Sequence, residues 1–283
     1  MTAIPPVHRA RSVEEALEEL DRSPEAALLG GGTWIMRAPL RGEPFAPRYV
    51  GLDGIAALRL IESRDGAIAV GAAVTHAQLA AANGSPAFAA IATAARLSAF
   101  PAVRSVATVA GNICALGFPE ADLVPALLAA DATAEVASRA GVDRVPLEAY
   151  LAGRGDRPAG EIITAVTVPA PAGRRSGFAR LTVRGGGEYA IASVAVSVDA
   201  AADGAVRSAR VAVGGVEERA RSLPAAAEAL VGSSLDADAV ARAGAAAAAA
   251  CHSREGLDAP AWYRTAVLPG LVRRAIADLE VSG

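Results

Sequence analysis

The sequence predicts an α+β protein in two parts, and three observations carry that reading. Two turns rich in small residues lie far apart, Leu28-Leu29-Gly30-Gly31-Gly32-Thr33 and Thr108-Val109-Ala110-Gly111-Asn112. The run Pro169-Ala170-Pro171-Ala172-Gly173 punctuates the chain as a boundary would. Beyond it, alternating apolar runs give way to alanine-rich helical sequence, the pattern of a sheet with helices on one face. A chain of 283 residues is long enough for two domains of ordinary size.

Composition narrows the functional classes. Hydrophobic residues make up 53% of the chain and aromatic ones only 4%, so the core is built of Ala, Val and Leu. A net charge of -3 with mixed signs offers no basic stripe for nucleic acid. No run reads as a membrane span, and MTAIPPVHRARSVEEALEEL lacks the apolar segment of a secretory signal, so a cytoplasmic location is expected. Cys114 and Cys251 are too few to hold an iron–sulfur cluster, and His8, His76 and His252 have no zinc-ligand spacing. Redox chemistry here must ride on an organic cofactor.

The elements follow in order. Ser12-Val13-Glu14-Glu15 is a capping box opening a helix that places Ala16, Leu17 and Leu20 on one face. Ala26–Leu29 and Arg48–Leu52 read as strands, and Asp65-Gly66 turns a hairpin between Leu58–Ser63 and Ala67–Ala72. Thr75-x-x-Gln78 caps a second helix, with His76 expected on its surface; Asn83-Gly84-Ser85-Pro86 ends it and Ala87–Leu97 forms another. Asp122 opens a helix through Leu128, either as a plain N-cap or as an acceptor for ligand hydroxyls. Thr133–Ser138 and Glu161–Val168 are strands joined by Gly/Arg-rich loop sequence. After the boundary come strands Phe178–Arg184, Tyr189–Asp199 and Val206–Val216, then helices Leu223–Val231, Ala237–Ala250 and Trp262–Leu279.

The two turns carry the chemistry. Without a Cβ, backbone N–H groups can close round an oxygen-rich group such as a pyrophosphate. A Rossmann reading is tempting, since Gly30-x-Gly32 follows a strand and Asp53 lies some twenty residues on. It fails on Ile35, which stands at the third glycine, and on Pro39, Pro44 and Pro47, which break the crossover helix. Cys114 has no nearby base and is not expected to act as a nucleophile.

Taken together, these residues resemble the medium, FAD-binding subunits of the molybdenum hydroxylases, the family of xanthine dehydrogenase, carbon monoxide dehydrogenase and nicotine-type dehydrogenases. Leu28–Thr33 is similar to the first FAD loop of that family and Ser105–Asn112 to the second. Ala121-Asp122-Leu123-Val124-Pro125 resembles the segment whose Asp contacts the cofactor. Val70-Gly71-Ala72, Arg184 with Gly187-Glu188-Tyr189-Ala190, Val213–Val216 and Tyr263-Arg264 through Ala275 are similar to further landmarks. The resemblance implies a two-lobed FAD-binding domain of the vanillyl-alcohol-oxidase (PCMH) type over 1–173, with lobes of about 1–55 and 56–173. A smaller C-terminal domain of the CO dehydrogenase flavoprotein type then spans 174–283, with a three-stranded antiparallel sheet and helices.

By position, the resemblance implies cofactor contacts from Leu28, Leu29, Gly30, Gly31, Gly32, Thr33, Trp34 and Ile35, from Thr108, Val109, Ala110, Gly111 and Asn112, and from Asp122, Ile163 and Arg180. It assigns no catalytic acid or base and no metal to this chain. It implies an oxidoreductase subunit that takes electrons from [2Fe-2S] clusters of a small partner and passes them through FAD to NAD, a quinone or oxygen. A large partner would hold the molybdopterin cofactor, the whole forming a heterotrimer or its dimer. The alternatives are a stand-alone flavoenzyme and a flavin-less assembly subunit. Three departures stand out: Trp34 replaces an acidic residue, Ala110 replaces the first glycine of Gly-Gly-Asn, and the 113–120 loop is one residue longer. The indole of Trp34 either stacks on the cofactor or plugs the lobe interface.

Overall fold

The computed structural model describes residues 5–82, 85–158, 160–184 and 189–281. Asn83 and Gly84 of the helix-ending turn, and Gly187 and Glu188 of one family landmark, lie outside the described residues. Three sheets organise the described residues. The first joins β1 (Val7–Arg9), β2 (Ala27–Leu29) and β3 (Tyr49–Gly51), all parallel, in the order β1-β3-β2. Between β1 and β2 runs α1 (Val13–Arg22), whose Ala16, Leu17 and Leu20 pack with Val50 and Ile55. Ser12 caps it as expected, but the Glu15 carboxylate reaches past Ser12 to the Arg11 N–H and to His8. The β2–β3 connection is a 3₁₀ helix over Ile35–Arg41 containing Pro39. Asp53 is on the surface, paired with Arg9.

The second sheet is antiparallel, built from β4 (Ile61–Arg64), β5 (Ala67–Gly71), β6 (Thr133–Ser138), β7 (Gly141–Pro146) and β8 (Ile162–Pro169) in the order β4-β5-β8-β6-β7. Five helices cross between β5 and β6: α2 (His76–Ala81), α3 (Ala89–Leu97), α4 (Pro101–Arg104), α5 (Val109–Cys114) and α6 (Leu123–Ala129). The segment read as loop between 138 and 161 holds β7 and α7 (Leu147–Gly153). Strand β7 is an edge strand with nearly every residue exposed, so no burial pattern marked it. The capping box at Thr75 forms in full. His76, expected on the surface, is instead only 3% exposed, because its segment pairs with Thr108 and its own N–H donates to the Ala107 carbonyl.

The third sheet contains β9 (Arg174–Leu181), β10 (Ala192–Ala200), β11 (Val206–Gly214) and β12 (Arg221–Ser222), antiparallel in the order β12-β11-β10-β9. The three expected strands are present, with the two-residue β12 added at the edge. Helices α8 (Pro224–Glu228), α9 (Ala237–Ala250), α10 (Ala261–Ala266) and α11 (Leu268–Val281) follow. α11 packs on β9 so closely that a Cβ on Gly177 would lie 2.1 Å from the Ala275 carbonyl oxygen. The contact between β9 and the helices that follow β5 includes a polar tie. The buried Ser176 hydroxyl accepts the Ala90 N–H and faces the carbonyls of Pro86 and Ala87, tying β9 to the start of α3.

Candidate functional site

The two glycine-bearing turns meet. β2 ends at Leu29, and the chain then runs straight across the residues preceding α5. A Cβ built on Gly31 would fall 1.8 Å from the Val106 carbonyl oxygen, and one on Gly30 would fall 2.7 Å from the Thr108 hydroxyl. Only glycine permits that approach. The second turn is the start of a helix: Thr108 is the N-cap of α5, and its Oγ1 accepts the Gly111 N–H at 3.2 Å.

Their backbone donors differ. Among the described residues, no acceptor takes the N–H of Gly31, Gly32, Thr33 or Trp34. These consecutive amides, half-buried and outside sheet and helix, are available to an anion. In the second turn the amides are occupied. Val109 N–H donates to Val74, Ala110 to Ala72, Gly111 to the Thr108 hydroxyl and Asn112 to the Thr108 carbonyl. The amides of the second turn are thus committed within the protein, and those of the first are left without a protein acceptor among the described residues. Thr108–Asn112 supplies a wall. Asn112 uses its Oδ1 to take the Leu123 N–H at 3.2 Å, which fixes the start of α6.

Asp122 sits beside that start without capping it, for its backbone is already helical (φ -59, ψ -32) and its side chain takes no helix N–H. It is 5% exposed and pairs with Arg180 Nη1 at 2.8 Å. Arg180 comes from β9 and also donates to the Leu97 carbonyl. Burial pushes the Asp122 carboxyl up to about 7, against the pull of Arg180, with Glu120 adding to the rise. Its Oδ1 has no partner among the described residues. Ile163 lies inward on β8, buried at the point where the β6–β8 register shifts, in the same apolar cluster as Val109 and Ile113. Leu28 and Leu29 are half-buried on β2, and Ile35 begins the 3₁₀ helix.

Trp34 makes several contacts within the protein. Its ring stacks on Phe118 with centroids 4.5 Å apart, the Arg41 guanidinium lies 4.1 Å over the ring, and its N–H donates to the Leu116 carbonyl at 3.1 Å. Phe118 in turn meets Tyr189 edge-on at 5.3 Å, and Arg37 donates to the Tyr189 hydroxyl at 2.7 Å. The indole joins the first loop to the 113–120 loop. Phe118 and Arg41 were not singled out from sequence. The available signal was scarcity: in a chain this poor in aromatics, one in the lengthened loop is worth noting.

The Pro119–Glu120 stretch is held from the C-terminal part of the chain. Arg264, wholly buried, donates to the carbonyls of Ile191 and Gly215 and pairs with Asp258 at 2.6 Å. Arg254 shares the Gly215 carbonyl and pairs with Glu120, while the Gly215 N–H holds the Pro119 carbonyl. Two grooves elsewhere are less suited to an anionic ligand. One of about 620 Å³ beside α1 is lined by Glu14, Glu62 and Glu135; another of about 380 Å³ beside α7 is lined by Asp131, Glu148 and Glu228. Among the described residues no group of His, Cys, Asp and Glu is placed to hold a metal ion.

Comparison with known proteins shows the family. Residues 2–171 match the family model of the FAD binding domain in molybdopterin dehydrogenase, and residues 178–279 that of the CO dehydrogenase flavoprotein C-terminal domain. The chain is 30% identical over 277 residues to the nicotine 6-hydroxylase medium subunit of Paenarthrobacter nicotinovorans, covering 94% of each. It is 35% identical over 153 residues to the putative xanthine dehydrogenase FAD-binding subunit of Escherichia coli K12, a match spanning about half of either chain (52% and 51%). The carbon monoxide dehydrogenase structure from Hydrogenophaga pseudoflava, in a form lacking the Mo-pyranopterin moiety, superimposes with a TM-score of 0.88 at 28% identity, covering 100% of this chain and 99% of that one. The chain belongs to the family of FAD-binding medium subunits of the molybdenum hydroxylases.

Proposed function

We propose that this chain holds FAD in the cleft between the first loop and α5, and serves as the electron-transfer subunit of a molybdenum-dependent dehydrogenase. One observation carries the reading: the N–H groups of Gly31, Gly32, Thr33 and Trp34 point to no protein acceptor while Gly30 and Gly31 lie against Val106–Thr108. A diphosphate satisfies such a row without any lysine, each charge-assisted bond contributing about 1.5–3 kcal/mol. Leu28, Leu29 and Ile35 shape the approach on one side, and Thr108, Val109, Ala110, Gly111 and Asn112 form the opposite wall. The unpartnered Oδ1 of Asp122 is the acceptor for a cofactor hydroxyl, with Arg180 fixing the carboxylate and Ile163 packing behind.

Bound there, FAD supplies a redox centre that exchanges electrons singly with clusters and in pairs with an acceptor. The chain's own residues bind and orient it and exclude water; they provide no proton-transfer group. The partners in this reading are a large molybdopterin subunit and a small iron–sulfur subunit with [2Fe-2S] clusters, and the acceptor is NAD, a quinone or oxygen. The two modules divide near residue 173. No helix among the described residues is long and apolar enough to cross a membrane, which accords with a cytoplasmic complex. The test is an absorption spectrum of the purified chain, followed by mass spectrometry of the released chromophore. A colourless protein that stays colourless after incubation with FAD overturns the proposal.

A further inference from the structure

The first loop and the segment around α5 touch twice. At one end Gly30 and Gly31 lie on Val106–Thr108; at the other Trp34 lies on Leu116 and Phe118. The free amides of Gly31–Trp34 fall between the two contacts. At the first, Gly31 meets the Val106 backbone and Gly30 the Thr108 side chain. At the second, the Trp34 side chain meets the Arg41 guanidinium, the Phe118 ring and the Leu116 carbonyl. Phe118 is anchored by packing against the main apolar cluster, whereas Trp34 belongs to no buried cluster. The indole ring is thus engaged by two protein groups.

We propose that Trp34 is a positioning residue that bolts the cleft shut over a bound dinucleotide, acting through Phe118 and Leu116 rather than by stacking on the cofactor. This rests on the FAD reading above. Entry and exit of the dinucleotide require the bolt to open, so Trp34 sets how long the cofactor stays. The Arg37–Tyr189 bond draws the 35–41 segment the same way and reinforces the closure.

The test follows FAD release from the loaded chain by the recovery of free-flavin fluorescence on dilution. Losing a stacked pair, a cation–π contact and a hydrogen bond together should speed release about tenfold or more in Trp34→Ala. Phe118→Ala should do nearly as much, and the double variant no more than the worse single one, because both remove the same contact. Trp34→Phe keeps the stack and loses the N–H, so release should rise only about twofold to threefold. The same contacts are present without cofactor, so the melting temperature of the cofactor-free chain should fall by several degrees at most, with its folding transition still cooperative. Trp262, the other tryptophan, is largely exposed. In a Trp262→Phe background the emission of Trp34 then reports the bolt alone, and Phe118→Ala should shift it to the red. Wild-type release rates in Trp34→Ala, or independent effects in the double variant, overturn the bolt while leaving FAD binding intact. A wild-type chain that takes up no FAD overturns the parent reading and this one together.

Discussion

Replacing Gly31 by alanine tests the cleft most directly. The new Cβ would stand 1.8 Å from the Val106 carbonyl oxygen, where an ordinary contact of this kind is about 3.3 Å. The loops must part by roughly 1.5 Å, and since the obstacle is backbone, no rotamer change relieves it. That displacement drags the adjacent amides off any shared phosphate position. Losing one charge-assisted bond weakens binding by about 1.5–3 kcal/mol, or roughly tenfold to a hundredfold in FAD affinity. Gly30→Ala is the internal control, because its Cβ meets only the Thr108 hydroxyl, at 2.7 Å. Moving that hydroxyl disturbs one helix cap, which costs about 1 kcal/mol of stability, and should weaken FAD binding less than Gly31→Ala does. Fluorescence titration of FAD into cofactor-free protein ranks the variants, and a thermal melt separates binding from unfolding. Affinity in Gly31→Ala within threefold of wild type, or an equal loss in both variants, refutes the argument from close approach.

Other expectations concern stability and pH. Burial first, then the charge of Arg104, hold His76 down to about 4 from its usual 6.5, while its Nδ1 is bonded to Ser98 Oγ at 2.7 Å. Because the folded value is depressed, the stabilisation is present above pH 6.5 and is lost as pH falls towards 4, by up to about 3 kcal/mol. Denaturant melts between pH 4 and 7 should show that slope in wild type and its loss in His76→Gln. Ser176→Ala leaves the Ala90 N–H without its acceptor and should cost about 1–3 kcal/mol in a urea melt, with FAD affinity unchanged. Gly177→Ala forces α11 off β9 and should cost more than 2 kcal/mol, read as an earlier loss of helical circular dichroism.

What the sequence disclosed was largely what a short stretch of chain decides by itself. Ser12 and Thr75 announce their helices because a cap and its amide are three residues apart. Asp65-Gly66 announces its hairpin, and both residues adopt positive φ. The C-terminal strands alternated and the alanine-rich α9 was read to the residue. Burial dictated by distant partners was not readable. His76 begins a helix as a surface residue would, and only its pairing beside Thr108 takes it inside. β7 escaped because an exposed edge strand has no apolar face to display. At the site the turns were visible, since they are made of unusual local composition. Which of them keeps free amides was not, because the acceptors for Val109 and Ala110 lie more than thirty residues upstream, on Val74 and Ala72. The stacking of Trp34 on Phe118 joins residues over eighty positions apart and leaves no local trace.

Arg264 has an implication for how the molecule is made. A fully enclosed guanidinium bridges Ile191, Gly215 and Asp258, and Gly215 in turn grips Pro119. The stretch ahead of Asp122 is thus moulded by a side chain synthesised some 140 residues later. While a ribosome is still translating, that stretch has no partner to hold it. Its final placement waits until almost the whole polypeptide has emerged.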